Sequence, residues 1–164
     1  MDPALRAARC PGSFIILLFC AMLNNKSRAR CDGKQVFIDV GSRNAEFFTI
    51  LNGLSMFDGF EWWLIECNPR RRDYLQEVVA RFSKTTPVQF LPMAAWTENT
   101  TLSFHIDDDV AESDHGSSLF GDHAMVQADG MQTEVEALDY PAFLQSHIQR
   151  EDFVLSRMDI EGAE

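Results

Sequence analysis

Basic residues are scarce in this chain. Its 164 residues include 14 Lys and Arg against 25 Asp and Glu, for a formal net charge of -11. Many of the cations also crowd the start, where Arg6, Arg9, Lys26, Arg28, Arg30 and Lys34 precede the first strong strand signal. The remainder is an acidic body with one basic cluster, Arg70-Arg71-Arg72, which reads as the solvated first turn of a helix. A phosphate backbone needs a basic partner surface, so no nucleic-acid partner is expected. Glycine is sparse where it would matter for phosphate. The turn Gly41-Ser42-Arg43-Asn44-Ala45-Glu46 has one glycine where a dinucleotide loop has three. Neither a Gly-x-Ser-x-Gly elbow nor a Walker loop occurs, which removes two common enzyme chemistries.

Long apolar runs are also missing. The run Phe14–Leu23 is shorter than the roughly 20 residues that span a bilayer. With Arg6 and Arg9 before it, it suits a signal peptide or a short membrane tether, and hence the secretory pathway. A buried N-terminal helix is the competing reading. The sequons at Asn25 and Asn99 matter only if the chain enters that pathway. Of four cysteines, Cys10 and Cys20 fall in the leader, and Cys31 and Cys67 have no metal-type spacing. An oxidising compartment would allow one Cys31–Cys67 bridge; two separate thiols is the reading adopted. His105, Asp107, Asp108, Asp109, Asp114, His115 and His123 are not fixed on one element by their spacing, so no metal site is assigned. Residues 1–30 are thus expected to be leader and linker, and residues 31–164 a single folded region.

What is present is a strand–helix rhythm. Val36–Val40, Trp62–Cys67, Val88–Leu91 and Phe153–Ile160 are short apolar runs that read as strands. Phe47, Ile50, Leu51 and Leu54 predict one amphipathic helix, and Tyr74, Leu75, Val78, Val79 and Phe82 a second. Asn68-Pro69 and Asp139 with Pro141 are helix-start signals. Leu102–Ile106 and Thr133–Leu138 alternate with period two and predict an edge appendage buried on one side. Trp62 and Trp63 read as core. Together these predict an α/β fold with a mainly parallel sheet. Strand order should turn back at the first strand, and a ligand crevice should lie over the tips there.

Acidic residues collect at those tips. Asp39, Glu66 and Asp159 each end an apolar run. A carboxylate at the position of Glu66 suits both hydroxyls of a ribose. Asp39 and Glu46 would repel a pyrophosphate but suit a ligand carrying a sulfonium and an ammonium. Asp159, Glu161 and Glu164 lie within six residues, close enough for one to be raised into use as a base. A strand-end cap for Asp39, and a solvated acidic loop for the last group, are the competing structural roles.

The segments Phe37-Ile38-Asp39-Val40-Gly41, Ile65-Glu66-Cys67-Asn68-Pro69, Ala94-Ala95, Ser117-Ser118-Leu119 and Arg157-Met158-Asp159-Ile160-Glu161-Gly162-Ala163-Glu164 occur in this order. In them the chain resembles the FkbM family of S-adenosylmethionine-dependent methyltransferases, from about Val36 to its last residue. The resemblance implies a Rossmann-like class I methyltransferase fold and O-methylation of a sugar-like or related small acceptor, with S-adenosylmethionine as cofactor. It implies that Asp39 and Gly41 shape the cofactor turn, Glu66 holds the ribose, and Ala94 and Ala95 lie near the adenine. Asp159 and Glu161 would face methyl transfer. Arg43 and Ala45 stand where the family turn has Asn and a second Gly, and Arg157 stands where Lys is usual. The family continues for several more strands and helices, so a fragment incomplete at its C-terminus is expected. Two other readings stay open: a non-catalytic cofactor-binding or interaction module, and a nucleotide-dependent oxidoreductase.

Overall fold

The computed structural model describes residues 33–106 and 131–160. The apolar run 14–23, Asn25, Cys31, Ser117-Ser118-Leu119 and Glu161 lie outside the described residues. So does the acidic stretch from Asp107 to His123. In chain order the elements are β1 (Gln35–Val40), α1 (Glu46–Leu51), β2 (Phe60–Ile65), α2 (Arg72–Phe82) and β3 (Val88–Leu91). They continue with β4 (Ala94–Trp96), β5 (Thr100–Ile106), β6 (Met131–Asp139), α3 (Tyr140–His147) and β7 (Phe153–Met158).

The main sheet has the order β3-β2-β1-β7, with every neighbour parallel. Its central strands are covered on both faces, which is why they read as nearly continuous apolar runs. On one face Val36, Ile38, Val40, Trp63 and Ile65 pack against Phe143 of α3. On the other, Phe37, Trp62 and Leu64 pack against Phe48 and Leu51 of α1 and Leu75 and Val78 of α2. The Phe37 and Trp62 rings stack with centroids 4.6 Å apart, and Phe48 meets Trp62 edge-on at 5.1 Å. Both tryptophans are core, as their sequence context predicts. Both helix starts are capped as expected. Asn68 Oδ1 accepts from Arg70 N at 3.0 Å, and Asp139 Oδ1 accepts from Ala142 N at 2.9 Å. The Asn68 cap opens a 3₁₀ turn, Pro69–Arg71, that leads into α2.

Two local expectations differ from the structure. The first helix buries Phe48 and Leu51, while Ile50 and Leu54 are 60% and 42% exposed. The helix is only six residues long and follows two left-handed residues, so its inward face is set by the turn and not by the apolar spacing. The one-sided strands β5 and β6 do form a separate antiparallel pair, but a third strand, β4, joins β6 in parallel. Three residues are too few for a period to show.

Because β2 and β3 step away from β1 on one side and β7 returns on the other, the order reverses at β1. The tips of β1 and β7 therefore flank the switch point, where open parallel sheets place their ligands.

Candidate functional site

The site begins with the last residues of β1. The parallel register sets Asp39 opposite Arg157 and Val40 opposite Met158. Past Val40 the chain turns sharply. Gly41 has φ 78°, and the amides of Gly41 and Ser42 both donate to the Ile65 carbonyl, at 2.9 and 3.1 Å. Arg43 and Ala45 follow with φ 47° and 54°, a left-handed region that side chains other than Gly, Asn and Asp rarely visit.

Ala45 is fully buried in the α1–α2 core. Its left-handed conformation costs about 1 kcal/mol, and its buried methyl returns about 0.8 kcal/mol. Glycine here would relieve strain and surrender packing. Ala45→Gly is expected to change unfolding free energy by less than about 0.5 kcal/mol, read by urea denaturation.

Arg157 ties the two strand tips together. Its Nη1 donates to Asp39 Oδ1 at 2.8 Å and to the Gly41 carbonyl at 3.2 Å, and its Nη2 donates to Asp159 Oδ2. Its guanidinium carbon lies 4.2 Å from the centre of the Phe47 ring, a cation–π contact from α1. Asp39 is completely buried. Burial pushes its carboxyl up to about 6, although the Arg157 charge and hydrogen bond pull it down; the carboxylates of Asp159 and Glu66 add to the rise. The site thus holds a carboxylate that ionises just below neutral pH.

Glu66 follows the end of β2 and is nearly buried. Its Oε2 accepts from Arg43 N at 2.9 Å and its Oε1 from Asn68 N at 2.8 Å. These backbone bonds fix the carboxylate between the β1 and β2 turns. Beside it, burial and the Glu66 charge raise the Cys67 thiol far above its ordinary value, so it stays protonated and poorly nucleophilic. Cys67 is a free thiol. Among the described residues no cluster of His, Cys, Asp or Glu suits a metal ion.

Four of the residues singled out in the sequence, Asp39, Gly41, Glu66 and Asp159, gather around the tip of β1. Asp159 is the exposed member, with its amide donating to the Val40 carbonyl at 2.9 Å. Ala94 and Ala95 are buried in β4. Ala95 packs under the main sheet and Ala94 in the core of the second sheet, so their visible role is packing. Sequence reasoning noticed Arg157 only as a departure from Lys. Its pairing with Asp39 depends on strand register, which local pattern does not contain. Ser42 was read only as part of the turn and Phe47 only as a residue of the first helix's apolar face; neither was assigned to the site.

Three buried polar atoms of the turn have no hydrogen-bond partner: Asp39 Oδ2, Ser42 Oγ and Arg43 Nε. Buried polar atoms are nearly always paired; the core indoles Trp62 Nε1 and Trp63 Nε1 share this lack of a partner, but only these three atoms lie together at the strand tip. The Methyltransferase FkbM domain matches residues 39–164.

The chain belongs to the FkbM methyltransferase family.

Neither the curated proteins nor the solved structures returned a match. As an FkbM methyltransferase the protein needs a methyl donor, and the turn after β1 lies at the sheet's switch point, where open parallel sheets place their ligands. Asp39, Glu66 and Asp159 surround it with negative charge.

Proposed function

We propose that the protein uses S-adenosylmethionine to methylate a hydroxyl of a sugar-like or related small acceptor. The observation that carries this reading is the buried, unpartnered Asp39 Oδ2 at the sheet's switch point, in an acidic site of an FkbM methyltransferase. When bound, the donor supplies an electrophilic methyl on a positively charged sulfur. Asp39 and the Gly41 turn hold its charged end, and Glu66 accepts the ribose hydroxyls through a carboxylate already oriented by Arg43 N and Asn68 N. The buried walls of the turn exclude water from the charged end.

Asp159 sits at the open rim, where an acceptor hydroxyl can approach. As the oxygen takes the methyl, its proton passes to the Asp159 carboxylate, with Glu161 as the second acid on the same segment. An alcohol is too weak an acid to ionise first at neutral pH, so proton removal accompanies attack. Arg157 aims Asp159, because its Nη2 holds one carboxylate oxygen and leaves the other to the acceptor.

Binding and turnover separate these roles. Glu66→Ala is expected to weaken S-adenosylhomocysteine binding by roughly 10- to 100-fold, the worth of hydrogen bonds to a charged group. Asp159→Asn is expected to leave that binding within about threefold while cutting methyl transfer from labelled donor by roughly 10²- to 10⁴-fold. Equal effects of both changes on binding, with no separate effect on turnover, would overturn the assignment.

A further inference from the structure

The tripeptide Asn99-Thr100-Thr101 begins in the connection between β4 and β5 and runs into the first residues of β5. Residues 97–101 are all exposed. The Asn99 carboxamide is nevertheless held in one orientation. One of its two polar atoms accepts a hydrogen bond at 2.8 Å from the amide of Asp139, the residue that caps α3. A backbone amide can only donate, so the atom facing it is the oxygen and the other branch is Nδ2. Among the described residues no hydrogen bond uses Nδ2.

This is the arrangement that an N-linked glycan needs. Such a glycan is bulky and must project into water from the surface. Attachment at Nδ2 leaves the carboxamide oxygen in place, so the bond from Asp139 N survives it. Thr101 supplies the hydroxyl that the acceptor motif requires two residues on, and it too is exposed. The second sequon, at Asn25, stands beside the apolar run 14–23. That run, behind Arg6 and Arg9, has the pattern of a segment that directs a chain into the secretory pathway.

We propose that the chain enters the secretory pathway and that Asn99 is N-glycosylated there. The glycosyl donor is an oligosaccharide carried on a polyprenyl diphosphate, used by the membrane transferase of that compartment. The bond formed joins Asn99 Nδ2 to the anomeric carbon of the first sugar. The bond broken joins that carbon to the diphosphate oxygen, and the lipid diphosphate leaves with the electron pair. Nδ2 gives up one of its two protons to water. Neither the methyl donor nor its acceptor enters this step, so the modification stands apart from the methyl-transfer reading.

The test is translation of the full chain with and without endoplasmic-reticulum microsomes, followed by gel mobility before and after treatment with peptide N-glycosidase. With microsomes the wild type is expected to run slower by the mass of a single glycan, and the glycosidase to reverse the shift. Thr101→Ala and Asn99→Gln are expected to lose the shift, while Thr101→Ser and Asn25→Gln keep it. Thr101→Ala leaves Asn99 and its bond to Asp139 N intact, so its loss reports the acceptor motif and not the fold. A wild type that shows no shift overturns the proposal, whether the chain stays outside the vesicles or Asn99 is passed over inside them. A shift that Thr101→Ala leaves undiminished, or that vanishes in Asn25→Gln, overturns the assignment to Asn99.

Discussion

Gly41→Ala is expected to destabilise the protein by about 3 kcal/mol or more and to abolish S-adenosylhomocysteine binding. A Cβ added at Gly41 would lie 2.1 Å from the Asp159 carbonyl oxygen and 2.8 Å from its carbon. These are backbone atoms, so no rotamer change relieves the overlap. Relief requires the tips of β1 and β7 to part, which breaks the bond from Asp159 N to the Val40 carbonyl and the one from Arg157 to the Gly41 carbonyl. The backbone conformation adds its own penalty, with φ at 78°. Gly59 provides the control. It has a similar φ of 83°, but nothing lies within 4 Å of its added Cβ. Gly59→Ala should therefore cost only the conformational strain, about 1 kcal/mol. Urea denaturation of both variants measures the difference. Equal losses at the two sites would show that the close approach of Gly41 to Asp159 carries no weight.

Asp39→Asn is expected to flatten the pH dependence of stability and to remove the affinity for a cationic donor. The folded carboxyl titrates near 6 against an ordinary value of 3.8, because burial outweighs Arg157. The folded state therefore binds this proton more tightly than the unfolded chain. The resulting stability is fully present below about pH 4 and is lost as pH rises through 6. At about 1.36 kcal/mol per pH unit, the displacement amounts to about 3 kcal/mol. Binding has the opposite sign, since an ammonium needs the ionised carboxylate. Wild-type affinity for S-adenosylhomocysteine should fall as pH drops through 6, while the stability contributed by Asp39 rises. Asn cannot ionise and should show neither trend. Unfolding and titration series between pH 4.5 and 8 on both proteins test this, and parallel curves for variant and wild type would refute it.

Much of the fold was legible because its central strands are buried on both sides. Val36–Val40 and the other apolar runs need no partner to be recognised, and the Asn68 and Asp139 caps announce their helices. The face of α1 was not legible. Arg43 and Ala45 rotate the chain entering it, and nothing in their identity signals a left-handed backbone. Strand β4 was too short to show a period. Asp39, Gly41, Glu66 and Asp159 lie at or beside the ends of apolar runs, which is why their gathering at one strand tip could be anticipated. Arg157 was readable only as an odd residue, since its partner lies 118 positions away. Ala94 and Ala95 were singled out only through the family resemblance, and the contacts they make are with the core.

The separation between Asp39 and Arg157 also bears on how the chain comes together. Contacts so distant in sequence form slowly, because a long loop must close before they contribute. An intermediate holding β1, β2 and β3 alone would have the Glu66 turn but neither the Arg157 bridge nor Asp159. Its Asp39 would face solvent with no counter-charge across the sheet. A ligand that needs both strand tips would recognise only chains in which the last strand has docked, drawing the folding equilibrium towards the closed sheet at the expense of the earlier intermediates.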